Sequence, residues 1–440
     1  MDIWALIMFI VLMFALLLGY PVAFTLGAVA LTFGGIFLGL DFFDLLPLRI
    51  WGVMTNFTLL AVPLFIFMGI VLEKSGLAEE LLENMGLLFG RLYGGLALSI
   101  VLVGALLAAT TGVVGATVVT MGIIALPAML KNGYAPELAT GTIAAAGTLG
   151  QLIPPSVILI LLADVIGVPV GRLFMGAVIP GILLVVLYCL YVTFIAWYSP
   201  HLAPALSNND NIWDKAFVMR TLKSIFPVLV LIFLVLGSII FGIASPTESA
   251  AFGAIGALIL AFSHQRLTLA NLSDAMQHTV RLTSMVFLIL IGATAFGLVF
   301  RGMEGDHLVH EILTQLPGGK WGFILVSMII IFILGFFLDF LEICFIVVPI
   351  LAPIAAHLEI DLLWFAILIA VNLQTSFLTP PFGFSLFYLK AVAPPTMPIS
   401  VIYRGIVPFV ILQVAGLILL IIFPQIIIWL PNMLDKFHGF

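Results

Sequence analysis

The sequence predicts an all-α polytopic membrane protein built from two structural repeats. Of its 440 residues, 63% are hydrophobic and only 8% are charged, and the mean hydropathy is +1.33. A soluble domain carries about 25% charged residues, so this composition excludes a water-soluble globule. Uncharged runs long enough to cross a bilayer recur along the chain, and prolines repeat at a constant spacing. The composition, the uncharged runs and the proline spacing together indicate an all-α membrane protein with two repeats.

Charge and cysteine content narrow the function further. The net charge of −6 comes from 15 basic and 21 acidic residues spread between apolar runs, and no Lys/Arg cluster is present to hold nucleic acid. Cys189 and Cys344 both lie inside apolar runs, which excludes a disulfide framework and a CxxC metal site. The first residues lack a basic region and a cleavage site, so we expect a retained first span.

Uncharged runs bounded by charges give the order of the elements. A crossing helix needs about 20 apolar residues, and the runs supply roughly eleven to thirteen hydrophobic elements. They are mostly helical because lipid offers an unpaired backbone group no partner. The run 92–130 contains 39 residues without a formal charge, which fits two half-length helices meeting at Thr110, Thr111 and Gly112. The runs are 3–40 (two passes, with Pro21 between them), 51–72, 92–130, 138–163, 173–200, 224–247, 249–265, 282–300, 321–338, 345–356, 362–389 and 405–434.

The segments between these runs are short. Residues 73–91 and 266–281 have the pattern of amphipathic interfacial arms, and 201–223 is the expected linker between two halves. None is large enough to form a soluble catalytic domain. Basic residues occur in loops on both sides of any alternating topology, so the positive-inside rule gives no orientation.

Prolines mark an internal repeat. Four pairs lie 226 residues apart, whereas 24 prolines in 440 residues would give roughly one such pair by chance at any chosen offset. The flanking sequences 147–169 and 373–395 also agree. We therefore predict two structural repeats. The sequence alone does not distinguish inverted from parallel repeats, and the inverted orientation that we expect follows if each repeat has an odd number of crossings. The pairs are Pro127 with Pro353, Pro154 with Pro380, Pro155 with Pro381, and Pro169 with Pro395.

In each half a Pro-Pro pair interrupts an apolar stretch. Two prolines remove two backbone donors and disfavour helix before them. Inside a membrane such a break persists only where protein, ions or water satisfy the freed groups. Broken helices at equivalent positions of two halves are typical of secondary transporters with a midplane site. The alternative is a kink in ordinary packing.

Polar residues lie at membrane depth beside these breaks. In the first half, 109–120 (ATTGVVGATVVT) offers hydroxyls and carbonyls suited to a small monovalent cation, and the following helix N-terminus can face an anion. The alternative is a small-residue face for helix packing. In the second half, Asp339 and Glu342 are three residues apart and share one helix face. Such carboxylates are costly in an apolar run and usually functional. Either can ligate a cation or cap a helix, and Glu342 can also carry a proton.

Several long segments resemble the large membrane subunit of tripartite ATP-independent periplasmic (TRAP) transporters. They include ALLAATTGVVGATVVTMGIIALPAMLKNGY, SPTESAA, GFFLDFLEICFIVVPILAP and NLQTSFLTPPFGFSLFYLK. The resemblance implies a multi-pass protein of the bacterial inner membrane that imports a small organic anion with Na⁺ as coupling ion and without an organic cofactor. It also implies an elevator, in which a scaffold (1–91, 173–320 and 397–440) holds a moving transport domain (92–172 and 321–396).

The same resemblance, with the polar residues above, gives the candidate site. Hairpin tips are expected at 110–115 and 338–342. The candidate substrate ligands are Thr117, Thr148, Gln151, Ser156, Glu342, Asn372 and Ser376. The candidate sodium ligands are Thr110, Thr111, Gly112, Gly150, Asp339, Gln374, Thr375 and Thr379. The helix breaks are Pro154, Pro155, Pro380 and Pro381.

The family resemblance implies two protein partners, a small four-helix membrane subunit on a separate chain and a periplasmic substrate-binding protein. The sequences 109–120 and 140–156 are more similar to those of family members that transport 2-oxo acids, lactate and related monocarboxylates than to those of members that transport sialic acid or C4-dicarboxylates. The sequence leaves two alternative functions open. One is a stand-alone carboxylate/Na⁺ symporter or anion exchanger, and the other is an intramembrane enzyme that uses Asp339 and Glu342 as an acid/base pair.

Overall fold

The computed structural model describes residues 2–111, 114–206 and 215–438, and within these ranges the chain is helical and contains no β-strand. The helices of the first half are α1 Asp2–Leu17, α2 Val22–Phe37, α3 Leu46–Met54, α4 Ala61–Lys74, α5 Leu77–Phe89, α6 Gly95–Thr111, α7 Val114–Lys131, α8 Pro136–Thr148, α9 Val157–Ile166 and α10 Val170–Tyr198. Those of the second half are α11 Lys215–Ile240, α12 Pro246–Ser263, α13 Leu269–Gly302, α14 Gly305–Thr314, α15 Lys320–Leu334, α16 Phe340–Glu342, α17 Val348–His357, α18 Leu362–Leu378, α19 Phe384–Val392, α20 Ile399–Ile422 and α21 Gln425–His438.

Helix lengths divide the apolar elements into two groups. In the described ranges, 7 helices are long and apolar enough to cross a membrane, or 8 if α4 and α5, which meet at 58°, count as one span. Six other apolar helices have 10–17 residues. The 39-residue uncharged run, for example, forms α6 and α7 rather than one long helix. The prediction of an all-α polytopic membrane protein is confirmed.

One of the two predicted arms is wrong. Residues 266–281 do not form a separate interfacial helix, because most of them belong to the 34-residue helix α13, which continues through the apolar segment to Gly302. The short amphipathic helix of the second half is instead α14, which follows α13 and begins after Glu304 in the left-handed conformation (φ 63°). The corresponding helix of the first half is α5, which follows α4 and the left-handed Gly76.

The helix bounds of the two halves match at the offset of the prolines. The first and last residues of α7, Val114 and Lys131, lie 226 residues before the ends of the span Phe340–His357, and Pro136 at the start of α8 lies 226 before Leu362 at the start of α18. The packing between the halves follows the same offset. α2 packs along α13, and α12, the counterpart of α2, packs along α4, the counterpart of α13. Each half therefore buries its helices against counterparts in the other half. The orientation of the repeats in the membrane and the domain boundaries stay predictions.

Candidate ion and substrate site

The loop between α15 and α16 places two carboxylates at a helix start. Asp339 is the N-cap of α16, and its Oδ1 accepts a hydrogen bond from the Phe340 N–H at 2.7 Å. Glu342 Oε2 accepts one from the Asp339 N–H at 3.1 Å. This reciprocal capping box satisfies N–H groups that a helix start leaves unpaired. The capping interpretation therefore describes both carboxylates, and each also has a second oxygen that can bind a cation.

The second hairpin faces the second broken helix. The rings of Phe337 and Phe382 lie 5.4 Å apart, and those of Phe340 and Phe377 lie 6.5 Å apart, measured between centroids. A Cβ added at Gly335 would overlap the side chain of Ser376, so the hairpin backbone lies directly against α18. Asp339 is thus held beside the segment that contains Pro380.

The hydroxyls of the second broken helix bond back to their own turn. α18 ends at Leu378 and α19 begins at Phe384, with a cis peptide bond between Pro380 and Pro381. The Thr375, Ser376 and Thr379 hydroxyls donate to backbone carbonyls of α18, each at 2.8 Å. Because the hydroxyl proton is used in this way, the oxygen lone pairs remain the part of each group that can face a cation.

The first broken helix has the same construction. α8 ends at Thr148, a 3₁₀ turn covers 149–151, and α9 begins at Val157 after a cis Pro154–Pro155 bond. Ser156 Oγ donates to the Gln151 carbonyl at 2.9 Å. The Gln151 side chain is fully buried, and neither its Oε1 nor its Nε2 has a partner in the described part of the chain. An unpaired buried amide costs about 1–3 kcal/mol, which is unusual for a group that serves packing alone.

The first hairpin lies against this turn. A Cβ at Gly150 would meet the backbone of Ala108 in α6 at 3.4 Å, and one at Gly104 would meet the Ala146 side chain at 2.7 Å. Thr117 of α7 is buried. Thr110 and Thr111 are the last two residues of α6, although the structure does not describe their side chains. Gly112 lies outside the described residues.

The two broken helices meet each other. Gln374 Nε2 donates to Thr148 Oγ1 at 3.5 Å, across the two halves. Asn372 Nδ2, in contrast, donates to the Met328 carbonyl at 2.7 Å and ties α18 to α15. The predicted residues Thr148, Gln374 and, one turn away, Gln151 are therefore brought together, whereas Asn372 has its amide engaged in helix packing.

Some polar contacts around the site escaped sequence reasoning. Gln413 Nε2 donates to Tyr188 Oη at 2.6 Å between α20 and α10, and both residues are fully buried. Their separation of 225 residues is one short of the repeat offset, and a glutamine inside an apolar run is itself a signal. The Tyr388 ring lies 3.2 Å from where a Cβ of Gly115 would be, so α19 packs on the first hairpin. Nothing in the sequence near Tyr388 indicated that contact.

The donor chemistry suits a hard monovalent cation. In the described ranges no three His, Cys, Asp or Glu side chains cluster as a transition-metal site requires. Around the second hairpin the candidate donors are the Asp339 carboxylate, the Thr375 and Thr379 oxygens and carbonyls at the helix break. Oxygen-only donors of this kind select hard cations rather than transition metals.

The sequence of nearly the whole chain matches one family. Residues 6–426 match the family described as "Tripartite ATP-independent periplasmic transporter, DctM component". The chain belongs to this TRAP transporter family. The C4-dicarboxylate TRAP transporter large permease protein DctM of Pseudomonas aeruginosa is 30% identical over 390 residues, which is 88% of this chain and 90% of that protein. The sialic acid TRAP transporter large permease protein SiaM of Vibrio cholerae is 28% identical over 417 residues, or 94% and 95% of the two chains.

Solved structures share the fold. The Alcanivorax borkumensis YdaH transporter superposes with a TM-score of 0.63 at 17% identity, over 94% of this chain and 98% of that one. Neisseria gonorrhoeae MtrF superposes with a TM-score of 0.53 at 13% identity, over 87% and 83%. The TRAP permease is thus a multi-pass protein of the inner membrane and a transporter subunit. The predictions that it belongs to the TRAP family, resides in the inner membrane and is not an enzyme are confirmed, and the acid/base enzyme interpretation is wrong.

Proposed function

We propose that this TRAP large permease imports a small carboxylate, a 2-oxo acid, lactate or a related monocarboxylate, with Na⁺ as the coupling ion. The observation that carries the proposal is the Asp339–Glu342 capping box, which lies against a helix broken at Pro380. A carboxylate pair of this kind, with Glu342 buried and Asp339 partly buried, needs a compensating positive charge when an anionic substrate binds close to it. A cation is the simplest source of that charge.

Residues of both halves would hold Na⁺. In the second half these are Asp339, Gln374, Thr375 and Thr379, and in the first half Thr110, Thr111, Gly112 and Gly150. When bound, Na⁺ supplies positive charge beside the anion. The chain supplies oxygen donors whose protons already point into their own helix turns, so the lone pairs are presented without further rearrangement.

The substrate would lie where the two broken helices meet. Thr148 and Gln151 are buried there, and the unpaired Gln151 amide offers both a donor and an acceptor. The amide N–H can bind a carboxylate oxygen, and a satisfied amide would recover the cost of its burial. Thr117, Ser156 and Ser376 would provide further hydroxyl groups for the substrate, and the Glu342 carboxylate would lie close to the bound Na⁺ and anion. Reciprocal linkage then makes substrate affinity depend on Na⁺.

Movement of a transport domain (92–172 and 321–396) against a scaffold would carry the site across the membrane. Polar contacts join these proposed domains at several places, for example from Trp364 Nε1 to the Leu420 carbonyl at 2.9 Å. Thr120 Oγ1 donates to Glu73 Oε1 at 3.2 Å, and Asn56 Nδ2 donates to Asp164 Oδ1 at 2.6 Å. Movement of the transport domain would require these contacts to break and others to form in their place.

A separate small membrane subunit and a periplasmic binding protein would complete the transporter. The Haemophilus influenzae permease SiaT matches 87% of this chain, but the match covers only 61% of its own length. A fused small subunit would account for the additional length in that relative. The gene of the small subunit and that of the binding protein are expected next to this one.

Uptake into proteoliposomes tests the proposal. The complex is reconstituted with its small subunit and binding protein, and uptake of radiolabelled pyruvate, lactate and succinate is measured with an inward gradient of Na⁺ or of K⁺. We expect uptake of a monocarboxylate only with Na⁺ and only with the binding protein. Equal uptake in K⁺ contradicts sodium coupling, and uptake by the permease alone favours the stand-alone symporter or exchanger.

A further inference from the structure

A large cavity lies beside the second hairpin. Its volume is about 1080 Å³, slightly above the range for ligand pockets, which is about 300–1,000 Å³. Its walls come from α3, the end of α9, α13, α14, and the second arm of the hairpin from Phe345 to Ile354. Phe345 is only three residues after Glu342, so the cavity approaches the candidate site within one helical turn.

The walls are mostly apolar, but the cavity contains two arginines. Arg49 lies on α3 and Arg301 near the end of α13, and both are exposed at the cavity. Neither guanidinium has an ion pair with a carboxylate in the described part of the chain. Arg301 Nε donates only to the Gly297 carbonyl of its own helix, at 3.2 Å.

The two acidic residues of the cavity are engaged elsewhere. Asp164 accepts the hydrogen bond from Asn56, and Asp306 Oδ1 accepts one from the His307 N–H at 3.0 Å, at the start of α14. The charges of the lining balance in number, and none of the four forms an ion pair in the described part of the chain, but each carboxylate accepts a hydrogen bond from another residue whereas the guanidinium groups stay open to the cavity. Low-dielectric walls concentrate the field of such charges toward the cavity.

We infer that this cavity is the vestibule that receives the anionic substrate, with Arg49 and Arg301 binding its carboxylate before it reaches the hairpin. The inference deepens the proposed function and rests on it for the identity of the ligand. The position of the lining residue Phe345, three residues after Glu342, favours the transported carboxylate over a lipid headgroup as the occupant. An arginine holds a carboxylate through two parallel N–H donors, which suits a site that must orient its ligand.

The local potential can be measured without transport. Thr294 lines the cavity on α13 and is partly exposed. In the full complex in phosphatidylcholine nanodiscs, with Cys189 and Cys344 replaced by alanine, Thr294→Cys is modified by methanethiosulfonates carrying either a sulfonate or a trimethylammonium group. We expect the ratio of anionic to cationic rates to fall about tenfold in Arg49→Gln/Arg301→Gln, because removal of two nearby charges slows one reagent and speeds the other.

Two controls make the result specific. Arg172→Gln removes an arginine that is paired with Asp435 at 3.1 Å, outside the cavity, and should leave the ratio unchanged. Arg49→Lys/Arg301→Lys retains both positive charges and should largely restore the ratio of anionic to cationic modification rates. A ratio in the double glutamine variant equal to that of Arg172→Gln would overturn the inference, whether or not the complex transports.

The ligand itself is tested by protection. Millimolar pyruvate or lactate should slow modification of Thr294→Cys several-fold, and the effect should be lost in the double glutamine variant. Protection by phosphatidylglycerol nanodiscs but not by soluble carboxylate would assign the cavity to lipid and overturn the inference. In uptake assays the double variant should raise KM about tenfold with little change in the maximal rate. An unchanged KM in a complex that shows Na⁺-dependent uptake refutes the vestibule inference but does not contradict the proposed sodium coupling.

Discussion

Gln374 donates a hydrogen bond to Thr148 at 3.5 Å, and the two residues are 226 positions apart, which is the offset that relates the two halves. Residues that are equivalent by an approximate two-fold symmetry can touch only where they lie close to its axis. The breaks of α8 and α18 therefore meet where the axis of the predicted repeats would pass. A site at that position is reached equally from either half, which is the property an alternating-access carrier requires.

Removal of this contact should expose the coupling between the halves. Thr148→Val and Gln374→Leu each delete one partner, and we expect the double variant to lose less stability than the sum of the two. The expected coupling energy is at least about 0.5 kcal/mol, because residues in contact are not additive. Thermal unfolding of the three variants in detergent measures it. Thr193→Val serves as a control, since its hydroxyl bonds only to Cys189 of its own helix on an exposed face.

We expect the Gln151 side chain to lower the stability of the protein and to be required for uptake. Its buried amide has no partner in the described chain, so Gln151→Leu should stabilise the protein by about 1–3 kcal/mol while abolishing uptake. Gln413→Leu should instead lower stability, because it removes the hydrogen bond that Gln413 donates to Tyr188. Unfolding midpoints and uptake rates are measured together. A Gln151→Leu protein that is less stable than wild type would mean that water or another group satisfies the amide.

Asp339 and Asp361 form a matched pair for testing sodium binding. Both are N-caps, Asp339 at α16 and Asp361 at α18, where its Oδ1 accepts the Trp364 N–H at 2.9 Å. Asparagine is an equally good N-cap, so Asp→Asn removes charge without removing the cap. We expect Asp339→Asn to raise the Na⁺ concentration for half-maximal uptake at least about tenfold, equivalent to about 1.4 kcal/mol. Asp361→Asn should leave it unchanged. Equal sodium curves for the two variants would remove Asp339 from the site.

Sequence periodicity and proline placement were enough to predict the helical membrane fold and the two broken helices, whereas the turn before Phe340 was expected from the family resemblance. These features depend on local chemistry, because a Pro-Pro pair interrupts a helix wherever it lies and an uncharged run of 39 residues exceeds one crossing. Segment 266–281 was assigned wrongly for the same reason. Its polar residues fit an interfacial arm, yet they extend the long helix α13 beyond its apolar part.

Contacts between distant segments could not be predicted in this way. The Asn56–Asp164 bond joins residues 108 positions apart, and Tyr388 reaches Gly115 from the other half. Neither pair is related by the repeat offset, so self-similarity gave no indication of it. The unpaired state of Gln151 also depends on which side chains fail to reach it, and that is a property of packing rather than of sequence.

The repeat predicts which contacts should exchange when the transport domain moves. Glu73 and Thr120 are in contact beside the first hairpin, and their counterparts at an offset of 226 are Val299 and Ile346, the latter a lining residue of the cavity. The segments of the second pair, α13 and residues 343–347, already pack together, so in a pseudo-symmetric carrier we expect the alternate state to tighten the second contact and break the first. In a background without Cys189 and Cys344, oxidised Glu73→Cys/Thr120→Cys should lose uptake and regain it on reduction. Val299→Cys/Ile346→Cys should cross-link faster when Na⁺ and substrate drive turnover.

A cross-link inside the proposed scaffold provides the control for this experiment. Asn84 Nδ2 donates to Ser224 Oγ at 3.1 Å between α5 and α11, so oxidised Asn84→Cys/Ser224→Cys should leave uptake intact. Full activity of the oxidised Glu73→Cys/Thr120→Cys complex would show that the first hairpin does not move against α4. That result would contradict the elevator while leaving sodium-dependent binding at the hairpin to be judged by the Asp339 variant.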